Sequence, residues 1–225
     1  MARPKIVGET KRPLGEKEPP PSSGLGPHPW LSEQSRSAHQ ERVRSGAIFD
    51  VYLSRVGEEK IRSHAVKEAP RRLEVMGFLL GEACTWKGEA YSVVRDVVTT
   101  ELRSSSSKVR FDPKAFPKLF HGLDDSGFDY ILVGWYHSHP GHTCFLSGTD
   151  METQRSMFNQ PYHVALVIDP INRDIKTFRL RDDGYEETMF AVFDPLHDGT
   201  VNPKGTRTRR LKATPVVQPD QQPGH

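Results

Sequence analysis

The chain has 225 residues, of which 35% are hydrophobic and 27% are charged, and its formal net charge at pH 7 is +2. This length predicts one ordinary domain with additional segments. The longest apolar runs are far shorter than the roughly 20 residues of a membrane-spanning helix, and no apolar stretch follows the basic N-terminus, so neither a membrane span nor a secretory signal is expected. Cys84 and Cys144 are too few for a disulfide framework, and we expect a cytoplasmic location.

The charge is distributed unevenly along the sequence. Residues 46–194 hold 18 Lys and Arg against 22 Asp and Glu, whereas residues 1–45 and 195–225 are both net basic. Because duplex binding needs cationic side chains concentrated on a folded surface, this acidic middle segment predicts no nucleic-acid partner.

The two ends of the chain have the composition of unstructured segments. Residues 1–29 contain seven of the 18 prolines and show almost no apolar periodicity, and the stretch from Pro195 onward is rich in Pro, Gly and Gln. We therefore predict a disordered Pro-rich tail over residues 1–45, one folded domain over 46–194 and a flexible basic tail over 195–225.

Strands and helices alternate within the predicted domain. Residues 48–53 predict a first strand, and residues 58–68 predict a charged helix that ends before Pro70. Two further strands are expected at 75–80, which is apolar on both faces, and at 90–98. The later elements are a long exposed loop at 99–111, a helix starting at Asp112-Pro113, a strand at 130–138, a helix at 147–158, strands at 162–168 and 175–181, and a segment of either type at 185–193.

The residues most indicative of chemistry lie where the strand at 130–138 ends. Alternate side chains of a strand share a face, so His137 and His139 point in the same direction. Asp150 follows near the start of the next predicted helix. Two histidines and a carboxylate leave a fourth tetrahedral position open for water, as in catalytic zinc sites. The same ligand types also suit an Fe(II) oxygenase.

Each part of this pattern also has an ordinary structural explanation. A His-x-His pair on a strand end can be a hydrogen-bonded surface pair, and Ser147 with Asp150 matches a capping box. Glu74 could simply form an ion pair with Arg71 or Arg72. Together, however, His-x-His, seven residues and Ser-x-x-Asp form a spacing that chance rarely supplies.

The stretch His137-Ser138-His139-Pro140, followed by Ser147 and Asp150, resembles the HxHx(7)SxxD signature of the JAMM (MPN+) zinc metalloproteases. Residues 73–81 are similar to the first core strand of that family, which carries its catalytic glutamate, and residues 167–170 to a later strand and turn. The resemblance covers residues 46–194 and is greatest to the deubiquitinase subunit of the proteasome lid. The absence of that subunit's later helices makes the chain similar to compact archaeal or other prokaryotic members.

This resemblance implies an α/β fold in which helices flank a curved mixed sheet, as in cytidine deaminases. It also implies a zinc-dependent isopeptidase that hydrolyses the bond after the C-terminal Gly-Gly of ubiquitin, or of a ubiquitin-like modifier, on a substrate lysine. One Zn²⁺ would be held by His137, His139 and Asp150, with Glu74 as the general base and Ser147 as the oxyanion donor. The implied partners are modifier conjugates and a proteasome or unfoldase assembly.

The serine-rich loop corresponds to a family insertion that covers the active site. The resemblance therefore implies substrate contacts from this loop, although an unconstrained surface loop is the alternative. The residues concerned are Ser104, Ser105, Ser106, Ser107, Lys108 and Val109.

Other side chains and other functions also enter the prediction. Cys144 is expected to be a packed thiol outside the ligand set, His142 to be exposed, and Trp135 to point away from the histidines into the core. Processing of a sulfur-carrier ubiquitin-like protein and a non-catalytic MPN scaffold remain open. A nucleobase deaminase would need a Pro-Cys-x-x-Cys motif, which the sequence lacks.

Overall fold

The computed structural model describes residues 14–99 and 130–195. Its strands are, in chain order, β1 (Gly15–Glu16), β2 (Leu25–Gly26), β3 (Val51–Ser54), β4 (Met76–Trp86), β5 (Glu89–Thr99), β6 (Ile131–Ser138), β7 (Val164–Asp169), β8 (Asp174–Arg181), β9 (Gly184–Thr188) and β10 (Phe190–Phe193). Its α-helices are α1 (Glu33–Ser45), α2 (Arg55–Glu68) and α3 (Gly148–Met157), and short 3-10 helices occupy Ser22–Gly24 and Ala69–Arg71. None of the described helices is long and apolar enough to cross a membrane.

All of these strands belong to one mixed sheet. The strand order is β2-β10-β3-β5-β4-β6-β7-β8-β9, and β1 pairs with β4 outside this path. The pairs β1–β4, β10–β3, β3–β5 and β6–β7 are parallel, and the other pairs are antiparallel. The predicted mixed α/β architecture is therefore confirmed.

Helices cover both faces of the sheet. Alternation along β3 sends Val51 and Leu53 into the core that α2 covers, and Tyr52 into a core on the opposite face, beside α1. Farther along that opposite face, Trp135 of β6 packs with Phe158, which ends α3. The helix that follows the two histidines, α3, therefore packs against the face of β6 on which Trp135 lies.

Residues 14–45 are ordered, so the prediction of a disordered tail over residues 1–45 is wrong for this part. β1 pairs with β4, and β2 pairs with β10. Trp30 and Leu31 pack against the core beneath α2, and the fully buried His28 donates from Nε2 to Glu58 across 2.7 Å. The segment contains few apolar residues, but Leu25, Trp30 and Leu31 pack against the buried clusters of the domain, which composition alone does not reveal.

Contacts between distant strands confirm that the sheet is curved. Arg179 of β8 donates from Nη2 to the carbonyl oxygen of Asp50, next to β3, across 2.6 Å. Ser92 of β5 donates to the carbonyl oxygen of Tyr162, just before β7, across 2.7 Å. Four strands lie between β3 and β8 in the sheet order, and two lie between β5 and β7, so these contacts require the sheet to curl around its core.

The predicted strands and helices of the described residues are present, with ends shifted by a few residues. The ambiguous stretch 185–193 forms most of β9 and all of β10. The predicted helix at Asp112-Pro113 lies outside the described residues, as does the loop at 99–111 beyond Thr99. Of the predicted C-terminal tail, the structure describes only Pro195.

Candidate metal centre

Strand β6 places two histidines side by side at the carboxyl end of a central strand. His137 pairs with Met76 of β4 on one side and with Val167 of β7 on the other. The side chains of His137 and His139 are buried, and their Nε2 atoms lie 3.2 Å apart. The common direction that the His-x-His spacing predicts is therefore observed.

Helix α3 brings the carboxylate to the two imidazoles. Ser147 caps this helix, and Asp150 occupies its first turn. Asp150 Oδ1 lies 3.4 Å from His137 Nε2, and Asp150 Oδ2 lies 3.5 Å from His139 Nε2. Within the described residues, these three side chains form the one group of His, Cys, Asp or Glu that could hold a metal ion.

The spacing of these atoms fits a tetrahedral zinc ion. Zinc binds imidazole nitrogen and carboxylate oxygen at about 2.0–2.2 Å, so two of its tetrahedral ligand atoms lie about 3.3–3.5 Å apart. The three observed separations are 3.2, 3.4 and 3.5 Å. The chemistry of the donors and the distances between them therefore fit Zn²⁺.

The electrostatics favour a charged carboxylate at this position. Burial by itself would raise the pKa of Asp150, but hydrogen bonds from His137, His139 and Ser147 hold that pKa far below its usual range. Burial lowers the pKa of His139, whereas the hydrogen bond to Asp150 and the charges of Asp150 and Glu74 raise it, with a net increase. An anionic Asp150 is the form that binds a cation.

Different contacts hold the two imidazole rings. Trp135 stacks on His137 with ring centroids 4.4 Å apart and planes 14° apart, and its Nε1 donates to Gln154 of α3 across 2.6 Å. His139 instead donates from Nδ1 to the carbonyl oxygen of Thr143 across 3.3 Å. The prediction that Trp135 points away from the histidines is wrong, because residues 135, 137 and 139 share one face of the strand.

Glu74 lies in the extended segment directly before β4, beside β6. Its neighbour Val75 donates to the side chain of Ser138 across 2.9 Å, and Ser138 donates its backbone N–H to the carbonyl oxygen of Val75 across 2.9 Å. Ser138 separates the two histidines in sequence, so these bonds fix Glu74 next to them. Its charge contributes to the raised pKa of His139.

The remaining side chains of the region lie largely as predicted. Cys144 is buried and donates to the carbonyl oxygen of Val167, and burial raises its thiol pKa, which agrees with a packed thiol outside the ligand set. His142 is exposed. The candidate substrate contacts from Ser104 to Val109 lie outside the described residues.

Asp169 is a further residue of the site that the sequence pattern does not indicate. Its side chain is fully buried at the end of β7 and accepts hydrogen bonds from the loop that follows His139. The signal available in the sequence was Asp169-Pro170-Ile171-Asn172, a typical turn sequence, which predicts the β7–β8 turn but gives no indication of a contact with a distant loop.

Fold and site define a mixed α/β domain with a buried two-histidine, one-carboxylate centre suited to zinc. Residues 50–160 match the family model described as JAB1/Mov34/MPN/PAD-1 ubiquitin protease. Residues 50–160 form a domain of this family.

Individual relatives agree with this assignment. The chain is 38% identical over 163 residues to ubiquitin carboxyl-terminal hydrolase RPN11 of Saccharomyces cerevisiae, covering 68% of this chain and 51% of that protein. It is 38% identical over 124 residues to 26S proteasome non-ATPase regulatory subunit 14 of Dictyostelium discoideum, covering 54% of this chain and 39% of that protein. It is 33% identical over 195 residues to COP9 signalosome complex subunit 5 of Caenorhabditis elegans, covering 73% of this chain and 51% of that protein. The matches thus span about half of these relatives or less.

Among solved structures, a protein of Desulfitobacterium hafniense with a known solution structure aligns with a TM-score of 0.44 and 21% identity. This alignment covers 64% of the present chain and 93% of the other.

Proposed function

We propose that the protein is a zinc-dependent isopeptidase. It would hydrolyse the bond that follows the C-terminal Gly-Gly of ubiquitin, or of a ubiquitin-like modifier, where that modifier is attached to a substrate lysine. The observation that carries this proposal is the placement of His137, His139 and Asp150, whose ligand atoms are 3.2–3.5 Å apart beside Ser147. Three protein ligands leave a position open for water and substrate, as in catalytic zinc sites.

The roles proposed for the protein residues begin with Glu74. Bound zinc would lower the pKa of a coordinated water toward about 7 and polarise the scissile carbonyl. Glu74 accepts a proton from the attacking water and later transfers it to the leaving lysine amine. Its fixed position beside β6, through the bonds between Val75 and Ser138, supports this role.

Ser147 is proposed to stabilise the negative charge that develops on the substrate carbonyl oxygen. Its Oγ accepts a hydrogen bond from the backbone N–H of Asp150 across 3.3 Å. A hydroxyl that accepts such a bond still carries a proton of its own, which it can donate to an oxyanion. One such donor typically contributes about 3 kcal/mol to lowering the barrier.

The names of the relatives support the substrate class. The yeast relative is named a ubiquitin carboxyl-terminal hydrolase, and others are named subunits of the 26S proteasome or of the COP9 signalosome. We propose by analogy that this protein acts on modifier conjugates in the cytoplasm, with a proteasome or unfoldase assembly as a partner. An extended Gly-Gly tail could reach the centre as an added strand, with further contacts from Ser104–Val109.

Cleavage of a purified fusion protein tests the proposal. The substrate is ubiquitin, or a ubiquitin-like protein, joined through its Gly-Gly terminus to the ε-amine of a lysine in a reporter peptide. The zinc-loaded protein is compared with Glu74→Gln, Asp150→Asn and a chelator-treated sample. We expect Glu74→Gln to keep zinc and lose turnover by at least about 10²-fold. Asp150→Asn should lose zinc as well as turnover, because the amide carries no charge for the cation.

Two matched measurements make the result interpretable. His142→Gln is the control for histidine loss, because His142 is exposed and outside the proposed ligand set, and it should retain both zinc and turnover. Bound zinc is quantified for every variant. A folded, zinc-loaded wild type that cleaves none of the fusions would reject the proposed activity, and Glu74→Gln with full turnover would reject the proposed base.

A further inference from the structure

Asp169 connects two separate parts of the backbone beside the metal centre. It is the last residue of β7 and is fully buried. Its Oδ1 accepts from the backbone N–H groups of Gly141 (2.9 Å), Ile171 (2.9 Å) and Asn172 (3.1 Å). Its Oδ2 accepts from the backbone N–H of Thr143 (2.8 Å) and from Asn172 Nδ2 (2.7 Å). One carboxylate therefore joins the β7–β8 turn to the loop after His139.

The loop held by Asp169 contains one residue in a conformation that its side chain disfavours. Gly141 has φ of +86°, which glycine adopts freely, but Thr143 has φ of +64°. A β-branched residue such as threonine rarely adopts a positive φ, and such a conformation persists only where surrounding contacts impose it. Among the described contacts, two side chains bond to the Thr143 backbone: Asp169 accepts from its N–H, and His139 donates to its carbonyl oxygen.

The conformation of Thr143 matters because its carbonyl oxygen faces His139. This oxygen accepts from His139 Nδ1 across 3.3 Å. A histidine that carries its proton on Nδ1 has a free lone pair on Nε2, and His139 Nε2 is the atom that lies beside His137 and Asp150. The chain of contacts therefore runs from Asp169 through Thr143 to the tautomer and orientation of His139.

We infer that Asp169 is a positioning residue of the metal centre. By holding Thr143 in its left-handed conformation, it presents the carbonyl oxygen that fixes the ring of His139 for metal binding. Its other bonds, to Ile171 and Asn172, stabilise the β7–β8 turn alone. The inference rests on the zinc binding proposed above and is independent of isopeptidase activity.

The test compares Asp169→Asn with Asn172→Ala in the full chain. Asn172→Ala removes one bond to Asp169 on the turn side and leaves the bonds to Gly141 and Thr143 in place. Zinc affinity is measured by competition with a chromophoric chelator, and the thermal midpoint is measured on the metal-free protein. We expect Asp169→Asn to weaken zinc binding by about 10–100-fold, as found for outer contacts of metal-ligating histidines. Asn172→Ala should lower the thermal midpoint and change zinc affinity by less than about 2-fold.

A measurement on the metal-free protein separates this inference from the proposed function. Nitrogen-15 spectra of histidine-labelled wild type should show a protonated His139 Nδ1 that donates a hydrogen bond, and Asp169→Asn should lose this bond. Should wild type not bind zinc, the proposed enzyme fails, while the Nδ1 hydrogen bond still decides whether Asp169 positions His139. Equal zinc affinity in wild type and Asp169→Asn, or an unprotonated Nδ1 in wild type, overturns the inference. If Asp169→Asn does not fold, amide hydrogen exchange of the wild type decides. Slow exchange at Gly141 and Thr143 supports the proposed role of Asp169 in holding this loop, and fast exchange overturns it.

Discussion

Ser147 and Asp150 exchange hydrogen bonds across the first turn of α3. The backbone N–H of Ser147 donates to Asp150 Oδ2 across 2.8 Å, and the backbone N–H of Asp150 donates to Ser147 Oγ across 3.3 Å. The oxygen that Ser147 holds is the one that lies 3.5 Å from His139. The capping box and the candidate metal centre are therefore one structure: the bonds that begin the helix also orient the carboxylate.

The Ser147 hydroxyl caps α3 and is also the proposed oxyanion donor, so Ser147→Ala should have two separable effects, one on stability and one on turnover. The variant should lose about 1 kcal/mol of stability, the usual contribution of an N-cap side chain. Its kcat should fall by about 10²–10³-fold, because the proposed oxyanion donor is removed. Zinc should be retained, since the three proposed ligands remain. Urea denaturation, bound-zinc analysis and steady-state cleavage of the fusion substrate measure the three quantities.

Ser32→Ala provides the matched control for this experiment. Ser32 caps α1, where its Oγ accepts from the backbone N–H of Ser35 across 3.1 Å. The substitution should lower stability in the same way and leave turnover unchanged. Equal turnover in Ser147→Ala and wild type would restrict Ser147 to helix capping.

A second prediction concerns Gly134, which allows β6 and β7 to approach closely. A Cβ added at Gly134, whose φ is +155°, would lie 2.0 Å from the carbonyl oxygen of Val164. Gly134 and Val164 are paired in the sheet, so neither backbone can move away easily. Gly134→Ala should therefore lower the free energy of unfolding by about 2–4 kcal/mol and displace the strand that carries His137. Zinc affinity should fall as well. Urea denaturation measures the loss of stability, and competition with a chelator measures the zinc affinity.

Gly148→Ala is the control glycine substitution. Gly148 begins α3, next to the same site, and a Cβ there would meet nothing within 4 Å. Alanine has the higher helix propensity, so stability should be unchanged or rise by up to about 1 kcal/mol. If Gly134→Ala behaves like Gly148→Ala, the close approach of β6 and β7 is not a constraint.

Local sequence patterns predict most of this fold. Valine-rich runs and the Ser147 cap indicate β5, β7 and α3 because neighbours in sequence determine those elements. The spacing from His137 to Asp150 likewise predicts a centre whose ligands the structure brings together. Simple alternation also applies to Trp135, because residues 135 and 137 lie on the same face of β6.

Contacts between distant segments are what the sequence does not reveal. The role of Asp169 depends on a loop about 26–28 residues earlier in the chain. Residues 14–45 have the composition of a disordered tail, yet they bury His28 against α2. In both cases the contacts join residues that are far apart in the sequence, and neither periodicity nor composition reports them.

The contact between His28 and Glu58 leads to a third prediction. His28 Nδ1 accepts from the backbone N–H of Trp30, so its Nε2–H donates to Glu58, which also accepts from Arg62. Burial raises the pKa of Glu58, but these hydrogen bonds lower it overall. His28→Ala leaves a buried carboxylate short of a donor and should cost about 3 kcal/mol in urea denaturation.

Glu41→Ala is the comparison for His28→Ala. It removes an ion pair with Arg44 on the same N-terminal segment, but both side chains there are more than 60% exposed. Exposed pairs contribute little, so stability should change by less than about 1 kcal/mol. Similar small losses in the two variants would mean that residues 14–31 are not held by His28.

A fourth prediction concerns His163, whose burial makes stability depend on pH. Its Nδ1 accepts from the backbone N–H of Gln160 across 3.1 Å, and desolvation lowers its pKa from 6.5 to about 4. Between these two values the unfolded chain binds a proton that the folded chain does not. The free energy of unfolding should therefore fall as pH is lowered through this window, by about 1.4 kcal/mol per pH unit and about 3 kcal/mol in total.

His163→Asn tests this contribution, because its side-chain oxygen can accept from Gln160 without titrating. Urea denaturation of both proteins between about pH 7.5 and pH 4, with a chelator present throughout, isolates the histidine. The other titrating groups are common to both chains, so their effects cancel in the difference. Wild type should be stabilised relative to His163→Asn at neutral pH, and that advantage should shrink toward pH 4. Parallel curves over the whole range would show that His163 titrates normally in the folded protein.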